Sequence, residues 1–227
     1  ITIISVLIRN GDGTVRKRAL VMLNTKIHES EESLSNDDIQ AYLGFVQNLV
    51  GLCDNPSELA VTRQTALLSI HILTQFFASE YPDVFLPAVQ SVITIISQAT
   101  SSASGIQALK GSAYIALSML CSKLGIRILP FLPKFAPALL KELDQGLKRL
   151  EGLNEEMKLL EGEESGDAIT ERQSQREEIL MLLQSLLSSL AAVVQNQSGL
   201  LSVYLHQMLV LLLSPTLLMI DKPVLKN

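Results

Sequence analysis

The chain is poor in the residues that carry chemistry. Trp is absent and aromatics make up only 4 % of its 227 residues, although 48 % are hydrophobic. Leu, Ile, Val and Ala must therefore fill the core, as they do where helix packs on helix. Cysteine occurs twice, at Cys53 and Cys121, far apart and with no CxxC pair, which excludes a disulfide framework or a thiolate zinc site. Both read as small buried hydrophobes in a reducing compartment. The three histidines, His28, His71 and His206, lie in different parts of the chain, none beside a carboxylate at ligand spacing. No serine sits in a nucleophile elbow, and Asn10-Gly-Asp-Gly-Thr lacks the lysine of a phosphate loop, so it reads as a turn. The expectation is no catalytic residue, no cofactor and no metal. A net charge of -5 argues against a surface wholly devoted to nucleic acid, while leaving room for a local basic patch.

Two further absences concern the ends. The chain opens Ile-Thr-Ile-Ile, with no initiator Met and no basic segment ahead of the apolar start, so no secretory signal is expected. It reads as a piece of a longer protein. Leu200 to Ile220 is apolar enough to suggest a membrane span, but Ser202, His206 and Gln207 interrupt it and Ser214-Pro215 should break the helix. A helix sandwiched between neighbours in a stack looks the same, and that reading is adopted.

What the chain does have is repetition. Ala19-Leu20, Ala66-Leu67 and Ala116-Leu117 recur at a spacing near 48 residues, each inside a helical pattern. Phe85-Leu86-Pro87 returns 46 residues later as Phe131-Leu132-Pro133. A period in the forties carried by helices alone points to an all-α, HEAT-like α-solenoid of antiparallel helix pairs. Each pair covers the apolar face of the next, so the product is a long surface with one continuous core.

The units divide at about 1–27, 37–78, 82–124, 130–195 and 198–227, the last partial, within a single segment spanning 1–227. In the first unit Val15, Ala19, Met22 and Leu23 share a face, and Asp12 or Thr14 caps their helix. In the third, Pro82 opens a helix that should turn Val84, Phe85, Val89, Val92, Ile95 and Ile96 inward. Leu86, Leu117, Leu132 and Leu190 are expected in the core. The fourth unit is irregular: ten of the 23 acids fall between Glu151 and Glu178. Such a stretch buries too little apolar surface to offset its ordering entropy, which predicts a solvated acidic loop at 161–170. The insertion accounts for the next small-residue step, Ala191-Ala192, arriving about 75 residues after the third marker.

Arg16, Lys17 and Arg18 form the densest basic cluster and are the candidate partner-binding residues. Consecutive helical residues point about 100° apart, so they make no flat patch. One reading pairs an arginine with Asp12 or its counterpart in a neighbouring repeat. The other places the cluster on RNA phosphate. Local acids favour the pair.

The string Val15-Arg-Lys-Arg-Ala-Leu-Val-Met-Leu-Asn-Thr-Lys-Ile27 is more specific than a generic repeat. It resembles the large HEAT-repeat ribosome-biogenesis factors of the U three small nucleolar RNA-associated protein ten family, in their C-terminal region. The likeness continues in order through Thr65-Ala-Leu-Leu-Ser69, Glu80-Tyr-Pro-Asp-Val-Phe-Leu-Pro87, Gly111-Ser-Ala-Tyr-Ile-Ala-Leu117, Leu129-Pro-Phe-Leu-Pro133 and Leu187-Ser-Ser-Leu-Ala-Ala-Val193. The resemblance implies a non-catalytic scaffold of the small-subunit processome in the nucleolus. There it would support pre-18S rRNA processing, early ribosome assembly and rRNA transcription. Other processome proteins and small nucleolar or pre-ribosomal ribonucleoprotein are the implied partners, with no membrane and no small-molecule substrate. The rival reading is an importin-like transport receptor or another HEAT adaptor, which shares the architecture and the acidic balance.

Overall fold

The computed structural model describes residues 2–29, 34–98, 104–160, 166–197 and 202–220. Among them 91 % are helical and none is in a strand, so the all-α solenoid stands. The helices are α1 (Thr2–Asn10), α2 (Gly13–Glu29), α3 (Asn36–Asp54), α4 (Ala60–Phe77), α5 (Pro82–Gln98), α6 (Ser104–Leu124), α7 (Leu132–Leu160), α8 (Gly166–Gln197), α9 (Leu205–Leu212) and α10 (Pro215–Leu218). Through α8 they pack as antiparallel pairs in two layers. Odd helices touch odd and even touch even along the stack, while each odd helix also packs on the even helix that follows it.

Local chemistry sets the boundaries. Asp12 Oδ1 accepts from Val15 N at 2.9 Å, satisfying an amide the first turn of α2 would otherwise leave free. Ser35 does the same for α3, accepting from Asp38 N at 3.2 Å. Pro82 and Pro215 occupy first-turn positions, where a missing N–H removes nothing. Gly125, at φ +53°, stops α6 in a left-handed conformation that a Cβ would disfavour. A 3₁₀ segment, Gly125–Phe131, then leads directly into α7. Pro87 and Pro137 each lie within the first two turns of their helix and face solvent, so each removes one bond near a loose end.

The repeat markers are the core. Ala19, Leu20, Ala66, Leu67, Ala116 and Leu117 are all buried, on the three even helices α2, α4 and α6 that pack one on the next. Alanine beside leucine lets the helices approach closely while the leucine fills the gap. Polar groups repeat the spacing. Thr62 Oγ1 donates to Gly13 O across 49 residues, and His71 Nδ1 donates to Ile115 O, at 3.4 Å, across 44. Between α6 and α8 the separation grows: Ser118 Oγ donates to Ser188 O across 70 residues and Ser189 Oγ to Tyr114 O across 75.

Several expectations need correction. Met22 is exposed, and the buried stripe of α2 is Ala19, Leu20, Leu23 and Ile27, one step around the helix. Val84 is exposed while Phe85, Val89, Val92, Ile95 and Ile96 are buried; Leu117, Leu132 and Leu190 are core, but Leu86 is only half-buried. The buried face of α5 runs through Phe85, Ala88, Val89, Val92, Ile95 and Ile96 at helical spacing, and Val84 and Leu86 flank Phe85 on either side of it, about 100° away. The apolar stretch Leu200 to Ile220 is interrupted at Ser214-Pro215 as expected: a short 3₁₀ turn at 202–204 and α9 come before it, Ser214 caps α10 after it, and residues 200 and 201 lie outside the described residues.

The acidic loop predicted at 161–170 is also corrected. Residues 161–165 lie outside the described residues, and Gly166–Thr170 already belong to α8. Most of the extra chain is helix: α7 runs for 29 residues and α8 for 32, against 17 to 21 for α2 to α6. Between Leu153 and Leu180 no described residue is fully buried. The two helices therefore form a half-exposed arm, flanked at its base by α10, whose Pro215 and Met219 share a cleft with Leu150, Asn154 and Arg176. Arg172 Nε pairs with Glu156 Oε2 at 3.1 Å, and Arg176 Nε donates to Asn154 Oδ1 at 3.2 Å, tying its halves together. Over Gly166–Thr170 helix stands where a loop was expected, because a helix anchored in the core needs no new nucleus and Glu, Gln and Arg propagate it well.

Two helical stretches, Ile106–Leu159 and Ile169–Gln195, are long and apolar enough by length and composition to cross a membrane. The first covers α6, the 3₁₀ segment and α7, and the second lies within α8; packed core helices carry the same signature.

Candidate interaction surface

The candidate basic residues sit on α2 and behave differently from one another. Arg16 forms an ion pair with Glu58, whose side chain is only 4 % exposed against 26 % for Arg16. Glu58 precedes α4 as Asp12 precedes α2, so the partner is the counterpart acid of the next repeat. Gly13 O, accepting from Thr62 Oγ1, closes the same junction. Lys17 and Arg18 are exposed and point elsewhere. The structure thus separates the three: Arg16 clasps two repeats, and only Lys17 and Arg18 are presented outward.

The most chemically loaded cluster lies deep between α6 and α7. Lys110 Nζ meets Glu142 Oε2 at 2.6 Å, with side chains 8 % and 10 % exposed. Tyr114, one turn on, is buried beside them, and its hydroxyl is raised by burial and then by the Glu142 charge. A lysine, a carboxylate and a phenol would make a plausible acid–base set if a substrate could reach them. Helix packing seals them, and the pair instead cross-links two helices. The thiols of Cys53 and Cys121 are likewise inert, each pushed up to about 12, chiefly by burial. Burial lowers His71, whose Nδ1 is held against the Ile115 carbonyl. Among the described residues no three His, Cys, Asp or Glu converge as metal ligands.

A different feature offers itself to a partner. On the even-helix face, α4, α6 and α8 enclose an open groove of about 470 Å³. Ala108, Gly111 and Ser112 of α6 form its floor, while Leu68 of α4 and Met181 and Leu182 of α8 stand on either side. Residue-by-residue reading missed it. The signal was there in the small residues at 108, 111 and 112, spaced to share a helical face, but their neighbours on α4 and α8 come from far along the chain.

The described residues thus form an all-helical stack of paired repeats with an open groove on one face and its buried ion pair sealed inside. The chain is similar to HEAT repeat-containing protein 1. It is 27 % identical over 217 residues to the Dictyostelium discoideum homolog, covering 96 % of this chain and 8 % of that protein. The Danio rerio protein is 27 % identical over 169 residues, covering 70 % of this chain and 8 % of its own length. The Homo sapiens protein is 28 % identical over 145 residues, covering 62 % and 7 %. No family model matches the chain. The chain thus spans about 8 % of the length of the curated relatives it matches. The resemblance read from the residues stands, and it is to a large HEAT-repeat protein.

Proposed function

We propose that this chain is a scaffold segment of the small-subunit processome, acting in the nucleolus and turning over no substrate. The observation that carries the reading is the ordered likeness to HEAT repeat-containing protein 1 over 96 % of the chain. The fold supports it: stacked pairs expose long ridges that several proteins can share, and the polar groups capable of acid–base work are sealed inside. Within such an assembly the segment would hold other processome proteins, and through them small nucleolar and pre-ribosomal ribonucleoprotein, while pre-18S rRNA is processed. Lys17 and Arg18 are the positions through which direct phosphate contact would occur.

Depletion of the full-length protein that carries this segment tests the reading. Early small-subunit precursors should accumulate, with large-subunit processing affected less, and capture of the tagged protein should recover processome components. Normal small-subunit processing, with recovery of a Ran-class GTPase and a nuclear-import defect, would overturn the scaffold reading in favour of a transport receptor.

A further inference from the structure

We propose that the exposed face of α7 binds the phosphate backbone of a nucleic-acid double helix, held by Lys134, Lys141 and Lys148. The inference goes beyond the processome reading: this surface is separate from Lys17 and Arg18, and it stands or falls on α7 alone.

The first observation is where the charge lies. Residues 123–149 hold six bases against two acids, net +4, while the rest of the chain holds 12 bases against 21 acids, net -9. One of the two acids, Glu142, is held inside the core by Lys110 and does not oppose the outer face. A chain that is acidic overall thus carries one basic strip.

The second is the geometry of the strip. Lys134, Lys141 and Lys148 follow one another at seven-residue intervals along α7, and all three are exposed. Seven residues are close to two helical turns, so the row is nearly straight, about 21 Å long in steps of about 10.5 Å. Arg127 extends it: Arg127 and Lys134 reach Asp83 and Gln90, which are themselves seven residues apart on α5. Each strand of a duplex carries one phosphate about every 3.4 Å along the axis, so each step spans about three phosphates and a flexible lysine can take the nearest.

The third is what already occupies these cations. Arg127 is paired with Asp83, and Lys148 with Asp144 at 2.7 Å. Exposed pairs of this kind are weak, and a phosphate can replace the carboxylate. Lys134 reaches only the neutral amide of Gln90, at 3.4 Å, and the Phe131 ring, 5.8 Å from its centre. Lys141 has no partner among the described residues. The row stops at Glu155, seven residues beyond Lys148, which limits the site to three lysines.

The residues between the lysines select the occupant. Pro137, Ala138 and Gln145 fill the gaps, and α7 exposes no large apolar side chain before Leu159. A protein partner would need apolar or aromatic anchors there. Unpaired bases would need exposed rings to stack on, and Phe131 is half-buried beneath Lys134. Contacts to phosphate alone suit a duplex and carry no sequence information.

The test uses the 227-residue chain carrying Lys17→Gln and Arg18→Gln, which removes any phosphate contact through α2. Labelled duplexes of DNA and of RNA, each in two unrelated sequences, and a single-stranded RNA of equal length are titrated by fluorescence polarisation over a range of salt. The duplexes should bind saturably and without regard to sequence, log K falling against log salt with a slope of about -2.7, as three phosphate contacts require. Lys134→Gln and Lys141→Gln should each weaken binding roughly threefold or more and make the slope shallower by about 1, with helical circular dichroism unchanged. Bound duplex should shield Lys134, Lys141 and Lys148 from acetylation, read by mass spectrometry, and leave Lys158 reactive. The DNA and RNA arms separate two sources of one backbone; binding of the RNA duplex alone would support the site and give the 2′-hydroxyl a part in it. No duplex binding at low salt, a slope unmoved by either lysine change, shielding elsewhere, or a clear preference for the single strand would overturn the proposal. So would displacement by polyglutamate as effective as by duplex at equal charge, which would make the row an acidic-protein site. None of these outcomes bears on depletion of the full-length protein, so the two readings fail separately.

Discussion

The centre of the stack and the arm are built from the same helix type under opposite conditions. In α6 the buried positions Leu109, Ala113, Tyr114, Ala116, Leu117, Leu120 and Cys121 wrap much of the helix, because α4, α5 and α8 all pack against it. The helix is held by its neighbours. In the arm, beyond Leu153 and before Leu180, none of the described side chains is completely buried, and side-chain pairs take over. Gln175 Nε2 donates to Glu171 at 3.3 Å, Gln173 Nε2 to Glu177 at 3.3 Å and Arg172 to Gln175 at 2.9 Å, all at i,i+3 or i,i+4 spacing. Such pairs are worth only a few tenths of a kcal/mol each. The arm therefore persists as an extension of anchored helices, and its stability is borrowed from the stack. A surface of this kind can diverge in charge without endangering the fold.

The contrast breaks first if a core leucine and an arm leucine cost the same. Leu117→Ala, at a fully buried site between repeats, should destabilise by roughly 2–5 kcal/mol in urea unfolding. Leu159→Ala, on the exposed arm, should stay within about 0.5 kcal/mol. Comparable losses would mean the arm is packed against something.

A buried ion pair and an exposed one offer a second comparison. Lys110→Met alone strands Glu142 inside the core and should cost roughly 3–5 kcal/mol, whereas Lys110→Met with Glu142→Leu should recover most of that loss. Arg172→Ala, which frees the half-exposed Glu156 and the neighbouring Gln175, should cost about 0–1 kcal/mol. A double variant as unstable as the single one would show that the pair organises α6 and α7 beyond its charges.

Removing residues 155–177 and joining the stumps with a short Gly-Ser linker should lower total helicity while leaving the unfolding midpoint within a few degrees. A collapse of the midpoint, read by circular dichroism, would assign the arm a structural role in the stack.

The smallest expected effect is a pH dependence confined to the stack. Burial depresses His71, so the folded state favours its neutral form. Its contribution is present above the ordinary imidazole range and is lost as pH falls through the depressed folded value. Stability measured from pH 8 down to 5 should therefore decline more in the native chain than in His71→Gln. Identical profiles would mean that another group carries the acid sensitivity.

Periodicity alone determined the core of this protein. Ala19-Leu20, Ala66-Leu67 and Ala116-Leu117 were identifiable without coordinates and are all buried, because a helix repeats its face every few residues and a stack repeats its contacts every unit. The same local pattern could not choose between neighbours such as Val84 and Phe85, where rotation by one residue decides which side is inside. Three things were settled only in three dimensions. Arg16 was open to Asp12 or to an acid one repeat away, and the stacking of α2 on α4 brought it to Glu58 across 42 residues. The acidic stretch was polar enough to read as loop, and anchorage of α7 and α8 at Leu150 and Leu180 made most of it helix. The groove draws its sides from Leu68, Ile115 and Met181, residues that share no local pattern. Its shape comes from how far apart three helices stand once their cores have packed, a distance that no single helix encodes.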